Sequence, residues 1–252
     1  MKYENLRKSW NEEELRAFSG WDFSHLESRW HHEPTRWDYK EIVNETINPT
    51  CKLLDMGTGG GEFLLSLNHP YENTSVTEGW APNIAMSKER LVPLGIKVYP
   101  VLDHSQLPIP DDSFDVVINR HETYDLSEVS RVLKPGGMFI TQQVGGDNCV
   151  AFAGRLNRNN TLVYENFSLT TEIPKFEANY LSVKYADECC PELRFSDIGA
   201  VVFWAKIIEW TFPNFSVDNN FEQLCSLHDE LLQKGFVSAI QHRFIVVAKN
   251  TK

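Results

Sequence analysis

The chain lacks any apolar run near the roughly 20 residues that a bilayer-spanning helix needs, so no membrane partner is expected. Its first residues are polar and lead into no apolar segment, which argues against a secretory signal and favours the cytoplasm. Basic residues are scarce, since 24 Lys and Arg stand against 35 Asp and Glu and leave a formal net charge of −11. Because no run of Lys or Arg is present to neutralise phosphates, nucleic acid is not an expected partner either.

Cysteine is also sparse. The five cysteines are an odd number, and none belongs to a C-x-x-C motif, so a disulfide framework is not expected. The adjacent pair Cys189 and Cys190 could hold a metal or form a strained disulfide, but zinc sites need three or four spaced ligands. The sequence therefore predicts two reduced thiols at this pair, and no metal site.

The composition is that of an ordinary globular protein, with 42% hydrophobic and 23% charged residues among 252. We expect one domain over residues 1–252, built from an N-terminal helical lid (1–45), a cofactor-binding core (46–146) and a C-terminal part with the rest of the sheet and a helical cover (147–252). The N-terminal part is rich in tryptophan: Trp10, Trp21, Trp30 and Trp37. These rings either pack the segment onto the main domain or form part of a lid over a site.

Strand and helix signals alternate along the chain. Strands are predicted at 51–56, 75–78, 97–102, 114–119, 138–144, 180–186 and 242–249. Helices are predicted at 11–18, 37–47, 62–67, 81–91, 125–133, 196–210 and 220–234. The alternation implies right-handed βαβ crossovers and a parallel sheet covered by helices on both faces.

A glycine-rich segment follows the first central strand. It reads Asp55-Met56-Gly57-Thr58-Gly59-Gly60-Gly61, a carboxylate at the end of a strand followed by glycines at alternate positions. Glycine is needed in such a turn because a Cβ would block the close approach of a ligand and because the backbone requires positive φ. The dinucleotide fingerprint G-x-G-x-x-G is the nearest alternative, but its third glycine would fall at Glu62, whose charge would repel a pyrophosphate.

The motif D-x-G-x-G-x-G resembles the signature of class I S-adenosylmethionine-dependent methyltransferases, in particular methyltransferase-11-like members. The runs 107–117 and 129–137 resemble the following half of the same family, so the similarity covers about residues 50–145. The resemblance implies a Rossmann-like α/β fold, a three-layer αβα sandwich around a mostly parallel seven-stranded sheet whose last strand is antiparallel. It also implies S-adenosyl-L-methionine as the cofactor.

The resemblance further implies which residues bind that cofactor. Glu78 ends the second central strand, where an acid can accept the ribose hydroxyls, and Asp103 ends the third, where a carboxylate can accept the adenine amino hydrogens. Because the methyl donor is a sulfonium cation, acids around it are electrostatically favourable. The expected cofactor-binding residues are Asp55, Gly57, Thr58, Gly59, Gly61, Glu78, Asp103, His104 and Asn119.

The resemblance also implies that the methyl acceptor lies next to residues 119–124, just after the fourth central strand. This segment lacks the [DN]-P-P-[YF] motif of amino methylation on nucleic-acid bases, and the chain shows neither a Pro-Cys nucleophile nor the double-Glu hairpin used on protein arginine. A small-molecule acceptor, methylated at O or N by in-line displacement, is therefore expected. His121 is the candidate general base because imidazole titrates near neutral pH, although it could instead only hydrogen-bond to the next helix.

Three other functions stay open at this stage. They are methylation of structured RNA, which would need a basic channel, cofactor binding without turnover by a regulatory protein, and an NAD-dependent dehydrogenase activity. Binding of RNA tests the first and binding of a nicotinamide cofactor tests the third. A regulatory protein would bind S-adenosylmethionine but transfer no methyl group to any acceptor.

Overall fold

The computed structural model describes residues 3–18, 21–157 and 166–252. The strands in these ranges are β1 (Trp30–His32), β2 (Leu53–Met56), β3 (Thr74–Glu78), β4 (Lys97–Pro100), β5 (Phe114–Arg120), β6 (Leu133–Val144), β7 (Leu181–Cys189), β8 (Glu192–Phe195), β9 (Val237–Ile240) and β10 (Arg243–Asn250). The α-helices are α1 (Glu4–Glu14), α2 (Tyr39–Thr46), α3 (Glu62–Ser66), α4 (Ala81–Leu91), α5 (Leu126–Val132), α6 (Val150–Leu156), α7 (Leu169–Ala178), α8 (Ile198–Ile207) and α9 (Phe221–Lys234).

Seven strands form one mostly parallel sheet in the order β4-β3-β2-β5-β6-β10-β7. Strands β2 to β6 pair in parallel, whereas β10 is antiparallel to both of its neighbours, β6 and β7. The predicted seven-stranded sheet with an antiparallel last strand is thereby confirmed. The strand order reverses at β2, which lies between β3 and β5, and the loops after β2 and β5 therefore separate there and leave room for a ligand.

Helices cover this sheet on both faces. On one face, Val43 of α2, Leu64 of α3 and Leu91 of α4 pack with strand residues such as Leu53 into one buried cluster. On the other face, the ring of Phe176 in α7 stacks on Phe139 of β6 with centroids 5.8 Å apart. Alternate residues of a strand point to opposite faces, so these clusters form separate layers. The three-layer α/β arrangement is as predicted.

The chain divides into two compact units. The sheet unit comprises Arg36–Val144, Ser168–Cys189 and Arg243–Lys252, and the other takes its described residues from Met1–Thr35, Gly145–Phe167 and Cys190–His242. The second unit has its own antiparallel sheet, β1-β8-β9, and helices α1, α6, α8 and α9. These boundaries cut across the expected lid, core and cover, and whether the chain behaves as one domain stays a prediction.

An aromatic core holds the second unit together. Phe152, Phe195, Trp204 and Phe212 are buried in it, and Trp10 of the tryptophan-rich segment belongs to the same cluster. Trp37, by contrast, lies in the sheet unit. Packing therefore accounts for Trp10, and a lid function of the segment stays a prediction.

Two predicted boundaries are wrong, one of a helix and one of a strand. The first helix spans Glu4–Glu14 and not 11–18. Trp10 is buried in the core, and its packing stabilises a helix that begins before Asn11 and passes through it. The helix that begins after Asp125 ends at Val132, within one residue of its predicted end at 133, but the strand that follows it is predicted to begin only at 138. Strand β6 begins at Leu133, and its register jumps from Leu133 opposite Phe114 to Met138 opposite Val116, so the intervening Pro-Gly-Gly segment bulges out of the ladder.

Candidate functional site

The glycine loop between β2 and α3 has the positive φ values that its sequence predicts. Gly57, Gly59 and Gly61 have φ values of +74°, +58° and +79°, a left-handed region that favours glycine. A Cβ at Gly57 would lie 2.4 Å from Cβ of Glu122, whereas a Cβ at Gly59 would meet no atom within 4 Å. At Gly59 the loop thus exposes bare backbone to open space, where a ligand can approach.

The carboxylate of Glu78 holds this loop in place by accepting hydrogen bonds from backbone N–H groups. Its Oε2 accepts the backbone N–H of Gly59 at 2.8 Å, and its Oε1 accepts those of Gly79 and Trp80 at 3.0 Å each. The side chain is buried at the end of β3. Glu78 therefore holds the loop in shape and places a negative charge beside Gly59. Its expected contact with ribose hydroxyls stays a prediction.

Asp55 is a second buried acid beside the loop and is the next-to-last residue of β2. Burial raises its pKa to about 6, and the charge of Glu78 raises it as well. The nearby Thr58 hydroxyl, which makes no hydrogen bond of ordinary geometry, and the Arg120 guanidinium partly oppose this shift. An ionised Asp55 is consequently costly in the ligand-free protein, and a neighbouring cation would stabilise it.

Glu122 is a third acid at the loop and is not among the site residues predicted from the sequence. Its side chain packs against Gly57, and its Oε1 accepts the backbone N–H of Thr123 at 2.9 Å and lies 3.5 Å from Nε2 of His104. Burial raises the pKa of Glu122; the Thr123 N–H and His104 lower it, and Glu78 raises it further. The only sequence signal for Glu122 is its position two residues after β5, beside the predicted acceptor segment.

Several buried polar atoms at this site have no partner within the described ranges. They are Oγ1 of Thr58, Nδ1 of His104 and Nδ2 of Asn119. The other amide atom of Asn119, Oδ1, accepts hydrogen bonds from Thr141 and Gln143 at 3.0 and 2.6 Å. Since buried polar groups are normally paired, three unpaired atoms on predicted cofactor residues fit a polar ligand. With three acids nearby, they fit the cationic S-adenosylmethionine.

Asp103 is less closely tied to the loop. Strand β4 ends at Pro100, so Asp103 lies three residues beyond the strand and not at its end as predicted, because the ladder with β3 stops at Glu78. The exposed carboxylate accepts the hydroxyl and backbone N–H of Ser105 at 2.6 and 2.9 Å. These two bonds, the hydroxyl first, lower its pKa. Binding of adenine by Asp103 stays a prediction.

His121 directly follows β5 and has a left-handed backbone with φ +63°, unusual for a residue with a side chain. Its side chain has solvent access, and Gln142 Nε2 lies 3.1 Å from its Nε2. Desolvation of the ring lowers the pKa of His121 well below its usual value, and the charges of Arg243 and Arg120 lower it further. His121 is thus neutral at pH 7.

The sequence of this region is similar to known methyltransferases. Residues 54–141 match the model of a family described as a methyltransferase domain. The chain is 30% identical over 118 residues to the ubiquinone/menaquinone biosynthesis C-methyltransferase UbiE of Laribacter hongkongensis, a match that takes in 41% of this chain and 47% of that protein. The chain therefore spans about half the length of this curated relative.

Solved structures share the fold. The YcgJ protein of Bacillus subtilis has a TM-score of 0.59 at 19% identity, over 85% of this chain and 98% of that one. A geranyl diphosphate methyltransferase solved with S-adenosylmethionine has a TM-score of 0.50 at 14% identity, over 84% of each chain. Residues 54–141, which include the glycine loop, are thus similar to a methyltransferase domain, and the chain shares the fold of these solved structures.

Proposed function

We propose that the protein transfers a methyl group from S-adenosylmethionine to an O or N atom of a small molecule. One observation carries the proposal: the left-handed loop at Gly57–Gly61 that leaves its backbone open at Gly59 and is held by the buried carboxylate of Glu78. A loop built this way binds a ligand through its backbone. The acids beside it favour a ligand with positive charge.

The glycines of the loop and the two acids beside it are proposed to have different roles. Gly57, Gly59 and Gly61 would hold the amino-acid part of the cofactor, with Asp55 and Glu78 offsetting its charge. When bound, the cofactor supplies a methyl group activated by the sulfonium. The protein positions the acceptor in line with that methyl group and excludes water, which is where most of the rate enhancement arises in such a displacement.

The acceptor is proposed to lie on the side of residues 119–124. The acidic net charge of −11 supports a small molecule in preference to RNA. The curated relative is a C-methyltransferase by name. An acceptor carbon is therefore the alternative that a product analysis must separate from O or N.

None of the helices in the described ranges has the length and apolar character needed to cross a bilayer. We propose that the protein works in the cytoplasm on a soluble acceptor. A fractionation of expressing cells tests this, and recovery of the protein with membranes after a salt wash would contradict it.

Calorimetric titration with S-adenosylhomocysteine tests the proposed cofactor. We expect saturable binding with one site for each chain. Absence of binding at millimolar concentrations would contradict the proposal, and binding of a nicotinamide cofactor instead would favour the dehydrogenase alternative. A filter-binding assay with structured RNA at low salt is expected to show no retention.

A further inference from the structure

A hydrogen-bonded chain of three side chains fixes the chemistry of His121. The indole Nε1 of Trp37 donates to Oε1 of Gln142 at 2.8 Å, and Nε2 of Gln142 lies 3.1 Å from Nε2 of His121. The indole N–H can only donate, so it must face the amide oxygen of Gln142. The amide NH₂ of Gln142 therefore faces His121, and Nε2 of His121 must accept.

Because Nε2 accepts a hydrogen bond, the position of the proton on the imidazole ring is determined. In a neutral histidine one ring nitrogen accepts and the other carries the proton, so the proton of His121 is on Nδ1. In a protonated His121, Nε2 would carry an N–H that faces the NH₂ of Gln142. Two donors would then face each other, which disfavours protonation. Both Trp37 and Gln142 are buried, which keeps the amide from exchanging its orientation through water.

The ring is also held in place through the backbone. The backbone N–H of His121 donates to the carbonyl of Gln142 at 2.9 Å, so both the ring and the main chain of His121 contact Gln142 of β6. Nδ1 has no hydrogen-bond partner among the described residues, and the side chain has solvent access. His121 therefore offers one free group to a ligand, an N–H donor.

Two guanidinium groups lie near this donor. Arg120 is opposite Gln142 in the ladder of β5 and β6, and Gln142 is opposite Ile245 in β10, so the three share one face of the sheet. Arg243 is two residues from Ile245 and points to that face as well. Arg120 lies over the ring of Phe63 at 5.4 Å and forms no ion pair with the described residues. The surroundings of His121 are thus cationic.

A neutral N–H donor beside two arginines suits an oxygen that already carries negative charge. We infer that His121 is a hydrogen-bond donor and not a general base, and that the site takes an acceptor whose reacting oxygen is already ionised. This inference rests on the proposed methyl transfer. A lone pair of the oxyanion forms the new O–CH₃ bond, the C–S bond breaks, and its electron pair neutralises the sulfonium, so that no proton has to be removed.

Nitrogen-15 NMR of the histidine rings tests the role of His121. The His121 signals are identified by their loss in His121→Asn. We expect the Nδ1–H tautomer in the neutral ring and a titration midpoint below the usual histidine value of 6.5. In Gln142→Glu the carboxylate would accept from both Trp37 and His121, so the proton should move to Nε2 and the pKa of His121 should rise by about 1 unit or more. Gln233→Glu, which adds the same charge on an exposed part of α9, should change neither.

An ordinary titration of wild-type His121 near pH 6.5, or the Nε2–H tautomer, would overturn the inference. The acceptor class is tested by adding benzoate or, as a neutral probe of the same shape, benzamide. Benzoate should shift the Nδ1–H signal in the wild type and much less in Arg120→Gln, whereas benzamide should not. Equal shifts with both probes, or none with benzoate, would overturn it. Failure of S-adenosylhomocysteine to bind would overturn only the proposed function, because the tautomer is measured without cofactor.

Discussion

Gly59 offers the sharpest test of the glycine loop, because the chain contains a matched control. Gly59 and Gly95 have φ values of +58° and +91°, and an added Cβ at either position would meet no atom within 4 Å. An alanine in this left-handed region costs about 1–2 kcal/mol. Gly59→Ala and Gly95→Ala should therefore lower the free energy of unfolding by similar amounts.

The two variants should differ in cofactor binding. At Gly59 the new methyl group would occupy the open space in which the ligand approaches the backbone, whereas Gly95 follows a short helix before β4. We expect Gly59→Ala to weaken S-adenosylhomocysteine binding at least tenfold, which is about 1.4 kcal/mol, and Gly95→Ala to leave it nearly unchanged.

Calorimetry measures the affinities and urea denaturation measures the stabilities. A ligand at 100 times its dissociation constant stabilises the folded wild type by about 2.7 kcal/mol, so the loss in Gly59→Ala is readily detected by both methods. Equal affinities of Gly59→Ala and Gly95→Ala for S-adenosylhomocysteine would refute the assignment of the loop as the cofactor cradle.

Three further predictions concern the acids and the turn around the loop. Glu78→Ala leaves three backbone N–H groups without their acceptor. It should therefore lower the free energy of unfolding by about 1–3 kcal/mol and weaken cofactor binding. Glu89→Ala, at an exposed position of α4, should do neither. Because folding raises the pKa of Asp55 from 3.8 to about 6, its contribution to stability is complete below pH about 4 and is lost as the pH rises to about 6. Relative to Asp55→Asn, the wild type should lose up to about 3 kcal/mol over that window in denaturation at varied pH, and a constant difference would contradict the shift. Gly57→Ala should destabilise more than Gly59→Ala, because its Cβ would collide with Cβ of Glu122, and equal melting temperatures would contradict this contact.

Much of the sheet unit could be predicted from the sequence, because its signals are local. Buried strands, the glycine motif and the Asp125 cap each occupy a few consecutive residues, and the Asp125 carboxylate does accept the N–H groups of Ser127 and Glu128. The Pro-Gly-Gly segment before Met138 misled the prediction, since the same residues that stop a helix also form a bulge inside a strand.

Site residues could be predicted only where an acidic residue stands at or near the end of a predicted strand. Asp55 and Glu78 end adjacent strands, and the structure brings both to the loop. Glu122 was missed because its contact with Gly57 depends on strands β2 and β5 being neighbours, which no local pattern encodes. The link from Trp37 to His121 likewise joins residues more than 80 positions apart through Gln142.

A crystal structure with bound S-adenosylhomocysteine would show whether the glycine loop is the cofactor site. We expect the amino-acid part of the ligand to lie against the backbone of Gly57–Gly61 and its ribose hydroxyls to lie within hydrogen-bonding distance of Glu78. A ligand bound elsewhere, with the space at Gly59 still open, would contradict this expectation.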